Sequence, residues 1–167
     1  MAQTNGFDFS SGIISVAGAS SFAILGPANW TGGVIQGSGN VSVLGTMDIS
    51  GLVVLNGSLV NTGVVNWSGI SVLGGMGTLV NNGNFNVSAN AGLSPLVMNN
   101  GAINIVSATA DVVAFSNPLG FTNTGIVDIQ SGTLEISNNA YTQTSGVTTL
   151  SGGMLGIPGG GFELNGG

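Results

Sequence analysis

The chain contains no Lys, no Arg, no His and no Cys in its 167 residues. Each absence removes a class of chemistry. Without His, Cys or Lys there is no nucleophile triad, no Schiff base and none of the usual general bases. Zinc and copper sites draw on His and Cys and are disfavoured on the same ground. Without Lys or Arg a phosphate backbone finds no counter-charge, and the net charge of −6 repels it. Nucleic acid is therefore not an expected partner, and an anionic membrane surface is no better. A disulfide scaffold is excluded. No run of 18 or more apolar residues occurs, so membrane insertion is not expected. Charge of either sign is scarce: only Asp8, Asp48, Asp111, Asp128, Glu135 and Glu163 carry any.

What is present is apolar residues and small turn formers. The hydrophobic share is 43%, and 31 residues are Gly. Disordered chains combine low hydrophobicity with high net charge, which is not this composition. Val, Ile and Leu interrupted by Gly, Asn, Ser and Thr read as many short strands separated by turns. Helix is disfavoured, because Gly, Asn and β-branched residues recur every few positions.

A repeat emerges when Gly12, Gly39, Gly63, Gly83, Gly101, Gly125 and Gly146 are aligned. Two positions after each stand Ile14, Val41, Val65, Phe85, Ile103, Val127 and Thr148. Four after stand Val16, Val43, Trp67, Val87, Ile105, Ile129 and Leu150. Between them lie Ser15, Ser42, Asn66, Asn86, Asn104, Asp128 and Thr149. Apolar, polar, apolar at period two is a strand with one face buried. The segment from Gly125 to Ile136 matches Gly146 to Ile157 at a constant offset. The pairs Asn61-Thr62, Asn81-Asn82, Asn99-Asn100 and Asn123-Thr124, each ahead of a repeat glycine, read as turns.

A period near 20 residues points to a solenoid. The expected fold is all-β: a parallel β-helix of about seven irregular coils, ~30 to 35 Å long at ~4.8 Å per coil. The alternative is an antiparallel β-sandwich, with Asn56-Gly57, Asn82-Gly83 and Asn100-Gly101 as hairpin turns. One domain spans 1–167. Residues 1–38 are its less regular part, 39–157 hold the clearest repeats, and 158–167 form a Gly-rich end. That uncapped end suggests a segment or processed form of something longer.

In such a stack the outward column Ser42, Asn66, Asn86, Asn104, Asp128 and Thr149 becomes a polar ladder, with amides bonding coil to coil. Trp67 falls in an inward column and reads as core. Trp30, after Pro27 and outside the aligned repeats, is the candidate for an exposed ligand contact. No pair of acids sits where a glycosidase needs one: Asp128 stands alone in its column, Glu135 lies across a corner, and Asp111 is in the irregular Ala108–Pro118 segment. No G-G-x-G-x-D calcium repeat occurs, and no cofactor is expected.

The run Phe121-Thr122-Asn123-Thr124-Gly125-Ile126-Val127-Asp128-Ile129-Gln130-Ser131-Gly132-Thr133-Leu134-Glu135-Ile136 resembles repeats of large bacterial surface proteins, as does Tyr141-Thr142-Gln143-Thr144-Ser145-Gly146. These are the β-helical passengers of autotransporters and filamentous-haemagglutinin-like adhesins. The likeness covers about residues 59–157 and is weak before residue 39. It implies a right-handed coil, secretion to the cell surface or beyond, and an adhesive or matrix-forming role. It carries no functional residues, and the family's typical members do not lack every cation. The expected function is a non-catalytic extracellular structural protein that forms or contributes to a surface fibre or matrix by end-to-end stacking, either of copies of itself or of successive segments of one longer chain. The alternative is an adhesin or carbohydrate-binding segment that meets surface glycans.

Overall fold

The computed structural model describes residues 2–88, 90–108, 111–116, 120–137 and 140–166. Among these every element is a strand and every strand pairing is parallel, as a solenoid requires and a hairpin sandwich forbids. The chain winds through about eight turns, one more than the glycine alignment suggests. Each turn has three straight segments. The first face holds nine strands in order, from Ala2–Thr4 through Ser21–Ile24, Asn40–Val43, Ser58–Asn61, Thr78–Asn81, Leu96–Asn99, Phe121–Asn123 and Tyr141–Gln143 to Phe162–Leu164. The second and third faces belong to one continuous sheet, because the long strands Ala28–Gln36 and Thr46–Leu55 run round the bend between them. At that bend Gly51, Gly69 and Gly132 have φ of 79°, 78° and 76°. A side chain there would be strained.

Register explains the composition. On the second face the inward columns are Ala28, Met47, Val65, Phe85, Ile103, Val127 and Trp30, Ile49, Trp67, Val87, Ile105, Ile129. All are buried. A stacked coil has no room for a charge in its lumen, so the inward columns are apolar. The offset of 21 between the last two repeats is a register pairing, Ile126↔Val147 and Leu134↔Leu155.

The glycine column differs from the one the repeat spacing suggests. Backbone bonds run from Val64 N to Gly45 O, Asn84 N to Gly63 O, Ala102 N to Gly83 O, Ile126 N to Gly101 O and Val147 N to Gly125 O. An added Cβ on Gly63, Gly83, Gly101, Gly125 or Gly146 would fall on the carbonyl oxygen of the column glycine one coil earlier. Close approach, not a left-handed turn, demands glycine in most of this column: only Gly146 among these five has a positive φ, 75°. The column continues backwards to Gly45 and Gly26, so Gly39 and Gly12 lie outside it. Ile14, Val16, Val41 and Val43 consequently leave the columns assigned to them. Residues 2–36 pair in the same ladders as the later coils.

Candidate functional site

Five of the six expected ladder residues share one outward column on the second face: Asn66, Asn86, Asn104, Asp128 and Thr149 are in register. Ser42 is not among them. It lies on the first face between Ala23 and Val60, and Asp48 takes its place opposite Asn66. The misplacement follows from starting that coil at Gly39 instead of Gly45. The column begins earlier still, at Asp8 and Asn29. Its bonds run coil to coil: Asn29 Nδ2 donates to Asp8 Oδ1 (2.7 Å), and Asn66 to Asp48, Asn86 to Asn66 and Asn104 to Asn86 (each 2.9 Å). Asp128 accepts from Ser151 Oγ at 2.7 Å and Gln130 Nε2 at 2.8 Å.

A second ladder lies inside the coil and is not visible in the repeat reading. Asn61, Asn81, Asn99 and Asn123 end first-face strands with their side chains turned inward, and all are fully buried. Each Nδ2 donates to the next rung's oxygen: Asn61 to Asn81, Asn81 to Asn99 and Asn99 to Asn123 at 2.8 Å, and Asn123 to Gln143 Oε1 at 3.3 Å. The second proton of each of the first three amides goes to the backbone oxygen of Asn84, Ala102 or Ile126 at 2.9, 3.0 and 2.9 Å. The oxygens of Asn61 and Asn123 accept from Gly63 N and Gly125 N at 3.1 Å. These asparagines are therefore structural rungs and not turn residues. At its last rung Gln143 Oε1 meets the hydroxyls of Thr148 and Tyr141, which also bond to each other. Burial pushes the Tyr141 phenol above its ordinary value of 10.0, opposed by its bonds to Thr148 and Asn123.

The aromatic candidates resolve differently. Trp67 is core, packed edge-on against Phe85. Trp30 is core too, only 1% exposed and stacked on Phe9 with centroids 6.3 Å apart. The expectation of an exposed Trp30 contact is corrected. Counted from Gly26, Trp30 occupies the same inward position as Ile49 and Trp67, so Pro27 opens a regular coil and not a loop. Both indole N–H groups, with Ser71 Oγ and Ser107 Oγ, are buried without a hydrogen-bond partner among the described residues.

The carboxylates stay apart in the fold. Asp8, Asp48 and Asp128 stand on the second face, Glu135 on the third bonded by Ser137 Oγ (2.8 Å), and Glu163 on the first. Asp111 Oδ2 accepts from Ala108 N at 3.2 Å. Part of the irregular segment assigned to Asp111 lies outside the described residues. Among the described residues no three acids come together as a metal site.

The two ends are the other distinctive surfaces. In the last coils the inward positions have no layer above them: Leu150 is 57%, Phe162 46% and Leu164 61% exposed. Phe162 stacks on Tyr141 at 5.2 Å and leaves its other ring face open. At the first coil a cavity of about 340 Å³ opens between Ala2, Ile14, Val16, Ala17, Ser20 and Phe22. Comparison with family models, with curated proteins and with solved structures found no match for this chain.

Proposed function

We propose that this chain is a non-catalytic structural β-solenoid, exported to the cell surface or beyond, whose partner is a second copy of itself stacked end to end. The observation that carries this reading is the pair of open apolar ends. The last coils present strand edges and unroofed core side chains, and at the first coil the half-buried Ile14 and Phe22 line an open cavity. Natural sheets protect such edges with charge, above all Lys, or with caps; this chain has no Lys, and its last strand is Phe-Glu-Leu. Stacking roofs Leu150 with the first coil of the next copy and continues the parallel ladders.

The first face carries nine strands while the coil makes about eight turns. At a junction one end strand of that face has to give way. Phe162–Leu164, exposed throughout, is the one we expect to be displaced. Export rests on the resemblance of residues 59–157 to surface-protein repeats. An adhesive role has no residue in its favour once Trp30 is in the core.

Sedimentation velocity over a concentration series tests the stacking. The wild-type chain is expected to grow into larger species with concentration. Leu150→Lys, at an already exposed position, is expected to stop this growth at no more than a dimer, with unchanged circular dichroism. A wild-type chain that remains monomeric throughout refutes the proposal.

A further inference from the structure

We propose that the outer side of the third face is a contact surface for a second copy of this chain, laid antiparallel across it on a two-fold axis. This lateral contact is separate from stacking at the ends and rests on different residues.

The outward column of that face, in register, is Gly32, Leu52, Val72, Gly92, Ala114 and Glu135. Leu52 and Val72 stand out of the sheet, 73% and 43% exposed. The next two coils carry only Gly92 and Ala114, so the row reads as two knobs followed by two hollows. Ile70 and Met76, 92% and 65% exposed, flank Val72 at the two corners of its coil. Contiguous exposed apolar surface of this kind marks an interaction site.

Among the described residues nothing in its own chain requires Gly92. Its φ is not positive, and an added Cβ would meet nothing nearer than Val72 Cγ2 at 3.9 Å. Glycine inside a strand is unfavourable relative to alanine, and it marks places where another backbone approaches closely.

The occupant follows from shape and charge together. A two-fold axis between the Val72 and Gly92 coils sets Val72 of one copy into the Gly92 hollow of the other, and Leu52 over Ala114. That is the self-complementary pattern of an isologous contact. Glu135 is the acid of this column and lies toward one end of it, followed only by Gly156. A parallel copy would oppose Glu135 with itself in a chain that has no cation to relieve it. The antiparallel copy carries each Glu135 to the opposite end of the column, away from its counterpart. The second face, with Asp8, Asp48 and Asp128 in one column, offers no such arrangement. The patch spans roughly 25 by 12 Å, from coil and residue spacings. That is small for a stable interface, so the contact is expected to be concentration-dependent in single copies and stronger where stacked copies repeat it.

The chain has no Cys, which makes thiol cross-linking clean. Leu52 and Ala114 lie three coils apart in one chain, about 14 Å, beyond the reach of a short bismaleimide. The antiparallel pair brings each against the other's counterpart. In a Leu150→Lys background, which blocks end contacts, the double variant Leu52→Cys, Ala114→Cys is expected to give a covalent dimer at millimolar concentration. Leu52→Cys alone should give at least tenfold less. Adding Gly92→Val should leave the melting temperature unchanged or raised and abolish the cross-link. Equal dimer from Leu52→Cys alone, no dimer from the double variant, or full cross-linking with Val at position 92 would each overturn the proposal.

Discussion

The inner amide ladder sets a sharp expectation about where stability resides. Asn99 is fully buried. It accepts from Asn81 Nδ2 and donates to Asn123 Oδ1, both at 2.8 Å, and to Ile126 O at 2.9 Å. Asn99→Ala removes three hydrogen bonds at about 1 kcal/mol each and strands one buried N–H of Asn81, for a total of about 3 to 5 kcal/mol. Domains have only about 5 to 15 kcal/mol in hand. Asn86→Ala is the matched control. It also sits between two amide rungs, with bonds of 2.9 Å on either side, but on the outer column, where water replaces the lost partners. Its expected cost is under about 1 kcal/mol. Asn61→Val tests the end of the ladder. Its column neighbour is Val43, Gly63 N keeps its bond to Val43 O, and no ladder N–H is orphaned. A cost well below that of Asn99→Ala is expected. Urea unfolding followed by circular dichroism, with an unchanged m-value, measures all three. Equal losses at Asn99 and Asn86 would refute the view that the buried ladder is what makes these amides matter.

Other expectations follow from the same geometry. Gly101→Ala drives a Cβ into the Gly83 carbonyl and is expected to unfold the middle coils, whereas Gly92→Ala should stabilise by about 0.5 to 1 kcal/mol; thermal melts compare the two. Trp30→Ala opens a core cavity and should cost about 3 to 5 kcal/mol, read by the same urea series. Because the Tyr141 phenol is raised by burial, the unfolded chain loses this proton first. Stability is full below pH 10.0, the ordinary phenol value, and falls as pH rises beyond it. Tyr141→Phe should flatten that alkaline decline in melting temperature, and Tyr141 is the chain's only tyrosine.

The solenoid was legible in the sequence because parallel stacking repeats one environment. Val65, Phe85, Ile103 and Val127 are apolar for the same reason, and Asn66, Asn86 and Asn104 polar for the same reason. The repeat is ambiguous where two glycines compete for one column. Gly45 is followed by Met47-Asp48-Ile49 and Gly26 by Ala28-Asn29-Trp30, the same apolar, polar, apolar triplet. Steps of 19 and 18 residues there are more even than the 27 and 24 that Gly12 and Gly39 require. With those two coils correctly started, Trp30 is inward and Ser42 leaves the ladder.

The inner amides were hidden by a rule that is usually sound, that Asn before Gly marks a turn. Ile24 and Val43 hold the corresponding place in the earlier coils. Apolar residues there are the signal that the position points inward and that asparagine in it needs a partner.

End-to-end stacking is tested most directly by negative-stain electron microscopy of the purified chain over a concentration series. Eight coils make a block about 38 Å long. Unbranched filaments of uniform width, absent with Leu150→Lys, are the expected result. Short separate rods of that length at every concentration would contradict it.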